Sequence, residues 1–172
     1  MNRLNTNKTG SIKTDFLVLR QHDDFLYSQI INQIFVLELT PMQQVALLDL
    51  LNTFSQAWNA HDVEQLMACM HPDCCFETVA GDEVYGTRIQ GIDAVRQVFG
   101  QTFETFPDAQ WRNAKHWISA DGESGISETT FTATTAENGR IEANMVDVFQ
   151  FKDGKILLKN AFRKNRPVQT AA

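Results

Sequence analysis

The chain has 172 residues, 43% hydrophobic and 21% charged, with 21 acidic against 15 basic side chains and a formal net charge of -6. That is the size of one ordinary domain with room for a buried core. The acidic balance argues against a nucleic-acid groove, which needs clustered Lys and Arg. No run approaches the roughly 18 to 20 consecutive apolar residues of a membrane-spanning helix. The apolar stretch 25–39 is interrupted by Ser28, Gln29, Asn32, Gln33 and Glu38 and follows a polar leader, so it makes a poor signal peptide. Cys69, Cys74 and Cys75 are odd in number and include an adjacent pair, which speaks against a disulfide framework. The expectation is a cytoplasmic protein without a nucleic-acid or membrane partner.

Residues 1–15 are polar and aperiodic, which predicts disorder. Leu26, Ile30, Ile34 and Leu37 then recur at helical spacing. Two explanations stay open: a helix laid on the domain or on a partner subunit, or an over-extended start, since Met42 stands just before the first well-formed element. From Thr40 the signals sharpen. Thr40 is a candidate N-cap with Pro41 at the first helical position, and Leu47, Leu51, Phe54 and Trp58 follow on one face of a helix ending near Asn59. Asp62 caps a short second helix with Val63, Leu66, Met67 and Met70 inward, stopped by His71-Pro72. Residues 74–79 read as a short strand, and a turn-rich stretch with Gly81, Gly86 and Gly91 follows. Ile92, Val95, Phe99, Phe103 and Phe106 mark a third helix. The period then changes from about 3.6 to 2, giving strands over 111–119, 124–135, 140–151 and 155–163, separated by Gly-containing turns of hairpin type. Three helices packed on a curved, mostly antiparallel sheet make an α+β plan. The organisation is an N-terminal extension over 1–40, one domain over 41–166 and a tail over 167–172.

Several segments resemble the nuclear transport factor 2-like superfamily, closest to its SnoaL-like and ketosteroid-isomerase-like branches. They are Ala57-Trp58-Asn59-Ala60-His61-Asp62, His71-Pro72-Asp73, the Gly86 to Gly91 segment leading into a helix, and residues 146–156 (VDVFQFKDGKI). The resemblance covers about residues 43 to 164. It implies a cone-shaped α+β barrel with a deep apolar pocket, usually dimeric through the sheet; it does not fix the reaction, since one fold hosts many activities.

Asp147 is the leading catalytic candidate. It stands in an otherwise apolar row of Ile141, Ala143, Met145, Phe149 and Phe151, where desolvation penalises a carboxylate and suits it to proton transfer. The competing explanation is an Asp that holds the sheet in register. The resemblance places a pocket carboxylic acid at Asp147, but Thr78 stands where the isomerases carry their proton-shuttling Asp, and Phe54 replaces their first-helix Tyr. A threonine hydroxyl is too weak a base and Phe has no proton to donate, which argues against steroid isomerisation; Thr78 and Phe54 remain candidates for pocket lining. Glu77, one residue off, points to the other face of its strand. Arg163, at the position of a pocket-edge aromatic, is a candidate for binding a substrate carboxylate or for neutralising Asp147. The alternative places it with Lys159, Lys164 and Arg166 in a solvated basic tail. Trp58, Phe99, Phe103, Met145 and Phe149 are candidates for ligand lining, although such stripes are usually plain core. Of the neighbours His116 and Trp117, Trp117 is read as lining and His116 as exposed or paired.

Cys69, His71, Cys74 and Cys75 lack a second ligand pair at a zinc-like distance, so no metal is expected. Nucleotide-binding and hydrolase motifs are not found, and no cofactor is expected. The leading expectation is a domain that binds a small, largely apolar molecule as a cofactor-free isomerase, cyclase or lyase, in a homodimer. The alternative is a non-catalytic ligand-binding or oligomerising module, or a small accessory subunit of a larger enzyme.

Overall fold

The computed structural model describes residues 39–169. The leader and amphipathic helix read before Leu39, and the end of the tail, lie outside them. The described chain forms α1 (Pro41–Ala60), α2 (Val63–Cys69), β1 (Met70–Glu77), β2 (Arg88–Gln90), α3 (Ile92–Thr105), β3 (Gln110–Ile118), β4 (Ser124–Thr134), β5 (Arg140–Lys152) and β6 (Lys155–Arg163). The six strands make one sheet in the order β2-β1-β6-β5-β4-β3, antiparallel throughout except where β1 runs parallel to β6. This is the α+β plan the periodicities predict. No helix among the described residues is long and apolar enough to cross a membrane.

Local signals account for most boundaries. The Thr40 hydroxyl accepts from the Gln43 N–H at 3.3 Å while Gln43 Oε1 accepts from the Thr40 N–H at 3.1 Å, a reciprocal cap that starts α1 beside Pro41. The Asp62 carboxylate accepts from the Gln65 N–H at 3.0 Å and starts α2. The hairpin between β5 and β6 turns on Asp153 and Gly154 at φ 51° and 71°, the positive values a two-residue turn requires. Two boundaries differ from the sequence reading. Met70 opens β1 instead of closing α2, and the register of β1 on β6 is broken between Met70 and Cys75, the interval in which Pro72 lacks a ladder donor. The short β2 lies within the stretch read as turns; it is held by only three paired positions on β1.

Two one-residue bulges determine which side chains face the helices. On β3, Arg112 pairs with Thr130 but Lys115 with Glu128, leaving one extra residue where Asn113 sits at φ 56°. On β6, Ile156 pairs with Phe151 but Leu158 with Gln150, leaving Leu157 over. Each insertion inverts the in-out alternation beyond it. Trp111 and His116 therefore share the concave face of the sheet, and so do Ile156, Lys159, Ala161 and Arg163. That face is covered by α1 and α3, whose Phe54, Trp58 and Phe99 interlock with Phe76, Trp111 and Phe149 at ring separations of 4.7 to 6.2 Å. These rings build the apolar core on that face.

Candidate functional site in the concave face

Asp147 lies in the buried row of β5, flanked by Met145 and Phe149 two residues to either side, and is fully enclosed. Its partner is Lys159, equally buried, whose Nζ donates to Asp147 Oδ1 at 2.5 Å. The sequence reading offered Arg163 as a neighbour of Asp147 and, as the alternative, a solvated basic tail that included both Arg163 and Lys159; the Leu157 bulge instead turns Lys159 into the core. The Lys159 ammonium faces the rings of Phe76, Trp111 and Trp58 at 4.7, 5.2 and 5.8 Å. Aromatic faces attract a cation, but among the described residues Asp147 is the one hydrogen-bond acceptor it reaches.

Burial pushes the Asp147 carboxyl up from its ordinary range and the Lys159 amine down, with the attraction between them opposing both shifts. Both shifts narrow the gap between the ion pair and the neutral acid–amine pair, because desolvation disfavours each charge. Hydrogen-bonding capacity is left over among the buried side chains. Asp147 Oδ2, the indole N–H groups of Trp58 and Trp111, the hydroxyls of Ser55 and Thr129 and His116 Nε2 are all buried without a partner among the described residues. Buried polar groups are ordinarily satisfied, so the free oxygen of the Asp147 carboxyl marks the site.

A second polar contact lies on the same face. His116 Nδ1 is 2.7 Å from Ser127 Oγ, and Ser127 stands directly opposite Asp147 in the β4–β5 ladder. Burial pushes His116 below its usual range. His116 is accordingly the residue turned inward. Trp117, expected to line the pocket, is 49% exposed on the convex face; the Asn113 bulge is the reason.

At the open end of the concave face, Val79, Ala80, Ile141, Ala143 and Arg163 line a cavity of about 540 Å³. Arg163 lies with its guanidinium 5.1 Å from the Phe131 ring and pairs with no carboxylate among the described residues. From Ala143 the row runs through Met145 to Asp147, and from Arg163 through Ala161 to Lys159. Four residues of strand, ~13 Å, separate this cavity from the buried pair along each.

The other anticipated residues divide clearly. Phe54, Trp58, Phe99, Phe103, Met145 and Phe149 are buried and packed, Phe103 stacking on the His61 ring at 4.3 Å. Thr78 closes the loop between β1 and β2, donating to the Ala80 carbonyl at 2.5 Å and accepting from the Thr87 N–H at 2.9 Å. Glu77 is buried and accepts from Arg88 Nη2 at 2.5 Å. Cys69, Cys74 and Cys75 are free thiols, and the described residues contain no group of three or more His, Cys, Asp or Glu arranged to hold a metal. Lys159, Trp111 and the His116–Ser127 contact were missed by sequence reasoning, because their inward facing depends on the two bulges.

The profile of the SnoaL-like domain matches residues 51–158, more than half of the chain and the whole segment from mid-α1 into β6. The chain belongs to the SnoaL-like domain family, within the nuclear transport factor 2-like superfamily. Among curated proteins no sequence matches this SnoaL-like chain. Solved structures do resemble it. A protein from a soil-derived mobile gene cassette superposes with a TM-score of 0.64 at 18% identity, covering 72% of this chain and 92% of that one. A proposed polyketide cyclase from Xanthomonas campestris gives 0.63 at 15% identity, covering 71% and 93%. A phenazine biosynthesis-related protein from Pseudomonas aeruginosa gives 0.62 at 18%, covering 72% and 82%. At these identities the likeness is one of fold, and it supports the cone-like architecture expected of a SnoaL-like domain.

Proposed function

We propose that this SnoaL-like domain binds a small, largely apolar molecule in its concave face and moves a proton with Asp147, in a cofactor-free isomerase, cyclase or lyase step. The observation that carries this reading is the split environment of the carboxyl group. Oδ1 is fixed by Lys159, while Oδ2 is buried with no partner. A carboxyl held by one oxygen and raised in pKa by burial is suited to pass a proton through the other to a carbonyl-activated substrate. Arg163, unpaired with any carboxylate at the cavity, is suited to bind a carboxylate on the same molecule. The polyketide cyclase and phenazine biosynthesis assignments of structural neighbours are compatible with small-molecule chemistry of this kind.

The test is a thermal-shift screen of apolar carbonyl compounds, with and without a carboxylate, followed by turnover measurements on the hits. Asp147→Asn is expected to keep the folded spectrum by circular dichroism and lose turnover. Unchanged rates in that variant would remove Asp147 from the mechanism. Arg163→Ala is expected to weaken binding of the carboxylated compounds alone.

A second reading concerns assembly. Trp117 and Ile126 face each other on the convex side of the sheet, Ile126 is paired in turn with Val148, and Val146 with Phe162; Trp117, Ile126 and Phe162 are exposed. A contiguous apolar patch of this kind favours an interface, and a second copy of the chain fits the dimer through the sheet that the resemblance implies.

A further inference from the structure

We propose that Lys159 is an amine nucleophile that captures the carbonyl carbon of its ligand as an iminium, and that the substrate class is an aldehyde or ketone with an apolar body and a carboxylate at its far end. This rests on the reading that the concave face admits a small molecule, and names the chemistry it performs there. Three arrangements support it. The amine is wholly enclosed, with a single hydrogen-bond acceptor and three aromatic rings around it. That is an environment in which an ammonium is poorly solvated and a neutral, nucleophilic amine is favoured. Its acceptor is a carboxyl group, the acid that carbinolamine dehydration needs, and the second oxygen of that carboxyl, Asp147 Oδ2, is buried without a partner. Finally, Arg163 stands on the same strand row as Lys159, four residues on and beside the cavity of about 540 Å³. A molecule anchored by its carboxylate at Arg163 has to span the ~13 Å of strand between the two residues to bring its carbonyl to Lys159.

The step balances without an external reagent. Neutral Lys159 Nζ forms a bond to the carbonyl carbon as the C=O π pair moves to oxygen. A proton from the amine and one from the Asp147 carboxylic acid convert that oxygen to water, the C–O bond breaks, and the C=N bond forms. The products are an iminium on Lys159, the Asp147 carboxylate as its counter-ion, and one water. The iminium draws electrons from the adjacent C–H bond, so the same carboxylate becomes the base for the proton transfer proposed above.

The experiment uses the full chain, suberic semialdehyde as the carboxylated probe, its methyl ester as the uncharged one, and cyanoborohydride to reduce any iminium to a stable secondary amine. Peptide mapping by mass spectrometry then locates the adducts. The expected result is labelling of Lys159 more than about tenfold faster than the exposed Lys115, Lys152 and Lys164. Arg163→Ala should slow capture of the acid by a larger factor than capture of the ester. Labelling confined to the exposed lysines, with Lys159 modified only after denaturation, overturns the proposal. If the acid raises the melting temperature of the native protein while Lys159 stays unlabelled, the iminium is excluded and the binding reading stands; if neither probe binds, both fail. The decisive readout is on the native sequence, so it does not depend on the folding of a Lys159 variant.

Discussion

Lys159 and Asp147, 12 residues apart in the chain, meet at 2.5 Å in a place where neither side chain is more than 1% exposed. The contact ties β6 to β5 through the interior of the domain. It also replaces two apolar side chains at the centre of an aromatic core with a pair of ionisable groups. Such a pair is weak evidence for stability, since burial costs about as much as the attraction returns.

The pair has a distinctive mutational signature. Lys159→Met alone or Asp147→Leu alone leaves one ionisable group buried and unpartnered, and each is expected to cost about 3–5 kcal/mol. The double variant restores an apolar core and is expected to cost much less than the sum. Urea denaturation of the four proteins measures this coupling; additive losses would show that the two side chains do not interact.

The bulge on β3 gives a second prediction. Asn113 holds φ 56°, a left-handed conformation that costs an ordinary side chain about 1–2 kcal/mol and costs glycine nothing. Asn113→Val should lower stability by roughly that amount, while Asn113→Gly should leave it unchanged or raise it slightly. Equal stability of the Val and Gly variants in denaturant titrations would count against the bulge.

His116 predicts a pH dependence. Its folded pKa is lowered from 6.5 by burial, so below that value the unfolded chain binds the proton more readily than the folded one. Stability from this group is therefore fully present above about pH 6.5 and is lost as the pH falls below it. Denaturation midpoints at neutral and mildly acidic pH should diverge less in His116→Gln than in the native sequence. An identical divergence would assign the acid sensitivity to other groups.

The proposed dimer through the convex face predicts that Trp117→Glu combined with Phe162→Glu lowers the solution mass to that of one chain without loss of folded spectrum. Both residues are exposed, so their replacement costs the folded subunit little. Mass measurement in solution decides the matter: an unchanged oligomeric mass would place the interface elsewhere.

The sequence by itself determined the parts of this protein that local chemistry controls. Thr40 and Pro41 set the start of α1, Asp153-Gly154 set the last hairpin, and the apolar row of β5 singled out Asp147 as a buried acid, because caps, turns and strand alternation are read from a few neighbouring residues. What only the tertiary structure decided is the company Asp147 keeps. Lys159 sits among Lys and Arg residues in the sequence and has the pattern of a solvated tail; His116 and Trp117 are adjacent and carry no local mark of facing. Both assignments turn on a single extra residue, Leu157 in one strand and Asn113 in the other, and a bulge exists only in relation to the strand it is paired with. Burial of a charged side chain follows from that long-range register, which is why the acid was legible in the sequence and its amine partner was not.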